Sequence, residues 1–416
     1  MKINTIKFKK SDINIYIYMS VSVITMFFAF LTNWLMTKYV TPESFGLYKY
    51  ATNFLFTIPA IFEFGIHFSC SRIIAERNSD EKDGVVFSSV IVVTLIGILL
   101  SLGLYLINGL SGSFDFSIGT LRDIEIIYPF VLIFTMRILV LQVYQGTGKT
   151  NQLALMNLIQ YIILIAGILL GNIMISDLNY SYLIILFCTS WVVVMIPFIS
   201  KVRYSFANFK NDINTLYNET KRNGFYVYLG TIVTTVSSSL IGLITGSLYG
   251  VKEYGYYSLA LSFAQTFTVI SSTMATVKFK ENVNQKYIPA RDFKLMIGLN
   301  VIVYVIFLII IEPAFKIFFS ADYAPTIHYL VILGLAYSLN GIILYFNRYF
   351  VARGLGSETT KNSFFVAVIN IITAIVLIPR FEIKGLVYAS LISSTLSLVK
   401  YVHSYRLYLN NINKKY

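Results

Sequence analysis

Long apolar runs separated by short polar connections repeat from one end of the chain to the other. They fall at about 13–38, 45–70, 84–108, 123–146, 152–175, 180–200, 224–249, 254–277, 293–318, 324–347, 361–379 and 385–408. Each is close to or above the roughly 20 residues that a helix needs to cross a hydrocarbon core about 30 Å thick. The pattern therefore predicts twelve transmembrane helices. The second run carries Lys49, Glu63 and His67, and the eighth is rich in Ser and Thr. Polar side chains inside a span are tolerated where they face a bundle interior or a wet cavity, so both runs count as spans.

The connections carry the charge, and its distribution sets an orientation. With the N-terminus inside, 25 of the 33 Lys and Arg residues fall toward the cytoplasmic side, seven, Lys49 among them, toward the outer side, and Arg137 lies well within a span. Positive residues concentrate on the cytoplasmic side of membrane proteins, so both termini are expected inside, with an even number of spans. Lys2, Lys7, Lys9 and Lys10 precede the first run in the manner of a signal peptide. That run is too long for such a leader and is followed by further spans, so it reads as an uncleaved first helix.

Composition fits this picture. The 416 residues are 56% hydrophobic and 13% charged, whereas soluble domains are roughly 25% charged. A net charge of +13 would suggest a nucleic-acid partner in a soluble protein. Here the positive connections account for it, and no nucleic acid is expected. Cys70 and Cys188 lie within apolar runs and form no metal-binding or redox spacing. They read as small packing residues. The histidines His67, His328 and His403 are too scattered for a metal site, and Gly148-Lys149-Thr150 lacks the upstream glycine of a phosphate-binding loop, because Val143 stands there. No cofactor, metal or catalytic nucleophile–base pair is expected.

Two motifs recur at nearly the same interval. Gly46, within Pro42-Glu43-Ser44-Phe45-Gly46-Leu47-Tyr48, aligns with Gly255, within Tyr254-Gly255-Tyr256-Tyr257, at an offset of 209. Gly148 aligns with Gly356 at an offset of 208. Two six-helix lobes follow, at 1–200 and 224–416, related by a pseudo-two-fold axis along the membrane normal and joined by a basic cytoplasmic linker at 201–223.

The arrangement of Pro42-Glu43-x-Phe45-Gly46-x-Tyr48, then Glu63-Phe64-Gly65 and Arg72-x-x-Ala75, resembles the polysaccharide-exporting branch of the multidrug/oligosaccharidyl-lipid/polysaccharide (MOP) exporter superfamily, including O-antigen flippases of the Wzx type. The resemblance covers essentially the whole chain and rests on arrangement, since no single motif is a sharp signature. It implies an all-α fold with a V-shaped central cavity, working by alternating access in the bacterial inner membrane. It also implies a non-enzymatic role, carrying an undecaprenyl-pyrophosphate-linked oligosaccharide from the cytoplasmic to the periplasmic leaflet. The implied partners are that substrate, membrane lipid, and a polymerase of the same lipopolysaccharide or other polysaccharide pathway. A cation-coupled drug exporter of the same superfamily is the alternative. A membrane-embedded polymerase or acyltransferase is disfavoured by the short outer loops.

Ionisable residues within spans are the default functional candidates, because charge in hydrocarbon is costly. At 100° per residue, Lys49, Phe56, Glu63, His67 and Cys70 share one face of the second helix, a stripe expected to line the cavity. A buried ion pair, or outward snorkelling of Lys49, are the competing readings. Arg137 suits bidentate contact with phosphate oxygens and equally suits pairing with Glu63. Arg72, Arg348 and Arg353 stand at inner helix ends, either as a cytoplasmic entrance for the pyrophosphate or as membrane anchors. In span seven, Thr234 and Ser238 offer hydroxyls to a sugar, while Ser238, Gly242, Gly246 and Gly250 form a small-residue packing face.

Overall fold

A computed structural model of the chain describes residues 10–413 apart from 77–78, 112–124, 148, 176–177, 203–205, 207, 226–227, 230–231, 234–238, 270, 273, 276–281, 283–284 and 354. Among the described residues the regular structure is entirely helical. Fourteen α-helices follow one another there: α1 (Lys10–Tyr39), α2 (Pro42–Ile61), α3 (Ile66–Glu76), α4 (Ser79–Ser111), α5 (Val131–Gly146), α6 (Thr150–Met174), α7 (Tyr180–Ile199), α8 (Phe209–Glu219), α9 (Ile241–Tyr249), α10 (Val251–Ala264), α11 (Ala290–Phe318), α12 (Thr326–Ala352), α13 (Gly356–Phe381) and α14 (Ile383–Asn413).

Eight helical stretches among the described residues are long and apolar enough to cross a membrane: Asp83–Gly109, Glu125–Gly146, Asn151–Met174, Tyr180–Ile199, Ala290–Phe318, Thr326–Phe350, Glu358–Phe381 and Ile383–Ile412. They coincide with the third to sixth and ninth to twelfth expected spans. The second expected span is not one helix: α2 and α3 meet at a bend of 69°. The seventh lies partly outside the described residues, and the eighth passes through a 3-10 turn at Gln265–Phe267. Leu99 on α4, Ile309 on α11 and Ile375 on α13 are exposed. Such apolar exteriors on helices that satisfy their own backbone hydrogen bonds suit a lipid environment.

The chain forms two compact units. One comprises Met1–Val40 with Phe54–Leu229, the other Thr41–Asn53 with Gly230–Tyr416. α2 is therefore divided, its first half packing in the second unit and its last turns in the first. The stretch expected as a linker between lobes packs in the first unit. There Phe206 and Phe209, preceding and opening α8, meet the Phe87 ring on α4 at 4.9 and 6.2 Å. Gly84 leaves room on α4 for the buried Asp212 carboxyl.

The core of the second unit is aromatic. Tyr345, Phe346, Tyr349 and Phe350 of α12 pack with Tyr401 of α14 and Met296 of α11. At the other end of this unit the two glycines of the repeat meet. A Cβ on Gly255 would lie 2.9 Å from Gly46 Cα, and one on Gly46 would strike the Val251 carbonyl. The start of α2 thus docks on α10 with backbone almost touching backbone, a closeness that only residues without side chains permit.

Candidate functional site

The break between α2 and α3 organises the first unit's polar centre. Pro59, in the last turn of α2, has no N–H to bond the carbonyl four residues earlier, and its ring crowds that carbonyl. Phe62 N–H instead bonds the Pro59 carbonyl at 3.0 Å. Phe64 (φ 50°) and Gly65 (φ 81°) then take the left-handed conformation, which costs a non-glycine residue roughly 1–2 kcal/mol. Surrounding contacts hold the strained turn. A Cβ on Gly65 would collide with the Gly224 backbone. Gly224 ends a π-helical turn, Thr220–Gly224. Thr220 Oγ1 donates to Ser69 Oγ at 2.9 Å, and Tyr228 donates its hydroxyl proton to the Ile61 carbonyl.

Glu63 sits in this break, its carboxyl buried. Its Oε2 lies 3.5 Å from His67 Nδ1, and His67 Nε2 lies 3.3 Å from the Thr135 carbonyl on α5. A carbonyl only accepts, so Nε2 carries a proton. The Glu63 carboxyl and the His67 ring thus lie side by side in the buried break, and Nδ1 makes no hydrogen bond.

Arg137, two residues beyond Thr135, is not the partner of Glu63. Its guanidinium lies between two rings, with Cζ 4.3 Å from the centroid of Trp191 on α7 and 4.8 Å from that of Phe56 on α2. Phe56 is itself held edge-on by Phe134 and Phe187 at 5.3 and 6.0 Å. Arg137 Nε has no hydrogen-bond partner, and among the described residues the guanidinium has no acidic partner. Cation–π attraction in a desolvated setting reaches about 2 kcal/mol. It steadies the guanidinium plane without using its hydrogen bonds.

The single stripe expected along the second span is not formed. The helical projection assumed continuous rotation, and the bend ends it. Lys49 belongs to the second unit, where Nζ donates to Ser262 Oγ at 3.2 Å and lies 5.3 Å from the Phe45 ring centroid. Asn53, one turn on, donates to the Tyr254 hydroxyl at 2.7 Å. Glu63, His67, Arg137 and the buried Cys70 belong to the first unit. Arg72 pairs with Glu219 of α8 at 3.3 Å. Arg353 donates from Nε to the Tyr408 hydroxyl at 2.9 Å, tying α12 to α14, while Arg348 is exposed. Thr234 and Ser238 lie outside the described residues. Gly242 and Gly246 are buried, and a Cβ on Gly246 would come within 3.0–3.1 Å of the Tyr254 and Tyr50 rings.

Sequence reasoning missed Phe56 and Trp191 as the holders of Arg137, and Gly65 and Gly224 as the facing halves of a clamp. Pro59 followed six residues later by Gly65 inside one apolar run was the available signal for the break. Nothing in the sequence signalled the ring pair, which comes from helices far apart in the chain.

The sequence profile of a family described as polysaccharide biosynthesis protein matches residues 13–279. No curated protein matches the sequence. Among solved structures, the fold is similar to that of the lipid II flippase MurJ in an inward closed conformation. Identity is 17% and the TM-score 0.72, over 94% of this chain and 87% of that one. It is also similar to an inward-facing multidrug resistance MATE family transporter of the MOP superfamily, at 13% identity and a TM-score of 0.67, over 96% of this chain and 99% of that one. A third similar structure is that of the MATE multidrug transporter DinF-BH. There identity is 15% and the TM-score 0.61, over 93% and 94% of the two chains.

Proposed function

The chain belongs to the polysaccharide biosynthesis protein family, and we propose that it is a flippase for a lipid-linked oligosaccharide. In this reading it works in the bacterial inner membrane with both termini in the cytoplasm. It carries an undecaprenyl-pyrophosphate-linked repeat unit, such as that of O-antigen, to the periplasmic leaflet by alternating access. The observation that carries the reading is Arg137, a cation inside a membrane unit that is steadied by two aromatic faces and has no acidic partner among the described residues. A guanidinium so held is matched to phosphate oxygens. The fold shared with a lipid II flippase supports the same reading.

The chemistry asked of the protein is positional. A pyrophosphate leaving water needs charge-assisted hydrogen bonds in its place, and Arg137 supplies a donor edge already oriented. Lys49, held by Ser262, is a second cation for an anionic headgroup or an acidic sugar. The Glu63–His67 pair, which changes charge on gaining or losing one proton, is the group through which a proton gradient would bias the cycle. Exporters of organic cations need an anionic centre, and the intramembrane Arg137 disfavours that alternative.

Deletion of the protein in its native cell, followed by analysis of surface polysaccharide and lipid-linked intermediates, tests the proposal. Loss of surface glycan with complete repeat units held on the cytoplasmic leaflet is the expected result. Normal glycan with altered drug tolerance would replace the reading with a multidrug exporter. Single units accumulating on the periplasmic side would replace it with a polymerase.

A further inference from the structure

Beside the α2–α3 break lies an apolar cavity of about 510 Å³ that the transport reading leaves unused. Its walls are Phe64 of the break, Ile66 of α3, Val92 of α4, Ile213 and Leu216 of α8, and Phe225 beyond the π turn. Phe64 and Phe225 are exposed and mark its mouth. A cleft of this character open to water would be an unfavourable apolar patch. Its place in the fold makes it something else. Val92 is nine residues beyond Asp83, where the apolar span of α4 begins, about 14 Å along the helix axis. The cavity therefore runs from the end of a span well into the depth of the hydrocarbon.

The other end of the cavity is cationic. Lys221 lines it, and Arg222 follows on the same π turn. Both side chains are exposed, and neither has an acidic partner among the described residues: Glu219, the acid nearest in sequence, pairs with Arg72. The distribution of Lys and Arg along the sequence assigns this end of α4 to the cytoplasmic leaflet with its anionic lipids. A narrow hydrocarbon-lined slot with two free cations at headgroup level is complementary to one kind of molecule.

We propose that this cavity is a binding site for an anionic phospholipid of the cytoplasmic leaflet, one acyl chain lying between α4 and α8 and the phosphate resting on Lys221 and Arg222. The bound chain would pack on Phe64 and so brace the strained turn. The proposal concerns resident lipid and does not depend on the identity of the transported substrate.

Native mass spectrometry of the purified full-length protein, titrated with phosphatidylglycerol or phosphatidylcholine, tests it directly. Wild type is expected to hold one phosphatidylglycerol about 30-fold more tightly than phosphatidylcholine, the preference that two headgroup-level charges supply. K221Q/R222Q, altered only at exposed positions, is expected to bind the two lipids alike. Ile213→Trp and Val92→Phe, which fill the slot from α8 and from α4, are expected to lose the tight phosphatidylglycerol, with circular dichroism confirming that each variant is folded. Equal affinity for the two lipids in wild type would overturn the proposal, as would tight binding unchanged in K221Q/R222Q. Displacement of the bound lipid by stoichiometric undecaprenyl phosphate would also overturn it, assigning the slot to the substrate's tail. The readout is lipid retention, so failure here leaves the flippase test untouched, and failure of that test leaves this one standing.

Discussion

Replacing Gly65 by alanine tests whether the break in the second span is built or incidental. Two costs follow from the structure. The residue stands at φ 81°, where a Cβ costs roughly 1–2 kcal/mol. The added methyl would also run into the Gly224 backbone. Backbone cannot swing aside as a side-chain tip can, so the π turn must move, at an overpacking cost of roughly 1–3 kcal/mol. A total near 3 kcal/mol corresponds to a fall of about 10 °C in Tm for a unit of about 200 residues, read by a thermal-shift assay in detergent. Gly103→Ala on α4 is the control. Nothing lies within 4 Å of its added Cβ, and replacing a mid-helix glycine stabilises by roughly 0.5–1 kcal/mol. The two substitutions therefore move Tm in opposite directions. Gly224→Ala, whose Cβ would meet Ser69 Oγ and the Gly65 carbonyl, should resemble Gly65→Ala. Because both act on one contact, the double variant should lose less than the sum. A Gly65→Ala protein as stable as wild type would refute the clamp.

Arg137→Ala should abolish surface glycan display while leaving membrane insertion intact. Arg137→Lys, which keeps the charge and loses the planar fork, should retain a reduced fraction of transport, and full activity in either variant rejects the phosphate role. Glu63→Gln keeps the size of the side chain and removes its titratable proton, so it should fold normally yet lose glycan export; wild-type surface glycan would exclude Glu63 from the cycle. His67→Leu removes the ring whose Nε2 meets the Thr135 carbonyl, leaving that carbonyl unsatisfied at a cost of about 1–3 kcal/mol, visible as a drop in Tm. Arg72→Ala removes a pair whose arginine is 47% exposed, worth under about 1 kcal/mol. Stability should barely change, and loss of export at unchanged stability would give Arg72 the functional role that its surface pairing argues against.

What the sequence determined by itself was set by the solvent. A hydrocarbon layer demands about twenty apolar residues per crossing and full internal backbone bonding. Run length alone therefore located the eight unbroken stretches long enough to span and the place of a ninth, bent one, among the described residues. The recurrence of Gly46 and Gly255 was legible for a similar reason, since a close backbone approach admits no substitute. The site was legible only as a set of residue types. Lys49, Glu63 and Arg137 stood out because charge is rare in a span, yet their partners did not follow from position. The projection that put Lys49 and Glu63 on one face holds only for an unbroken helix, and Pro59 with Gly65 breaks it, leaving Lys49 beside Ser262 and Glu63 beside His67. Arg137 was open to either Glu63 or a phosphate, and packing set neither beside it but the rings of Phe56 and Trp191. Arg72 reached Glu219 across most of a unit. Such pairings depend on which helices lie side by side, a property of tertiary packing that local periodicity does not encode.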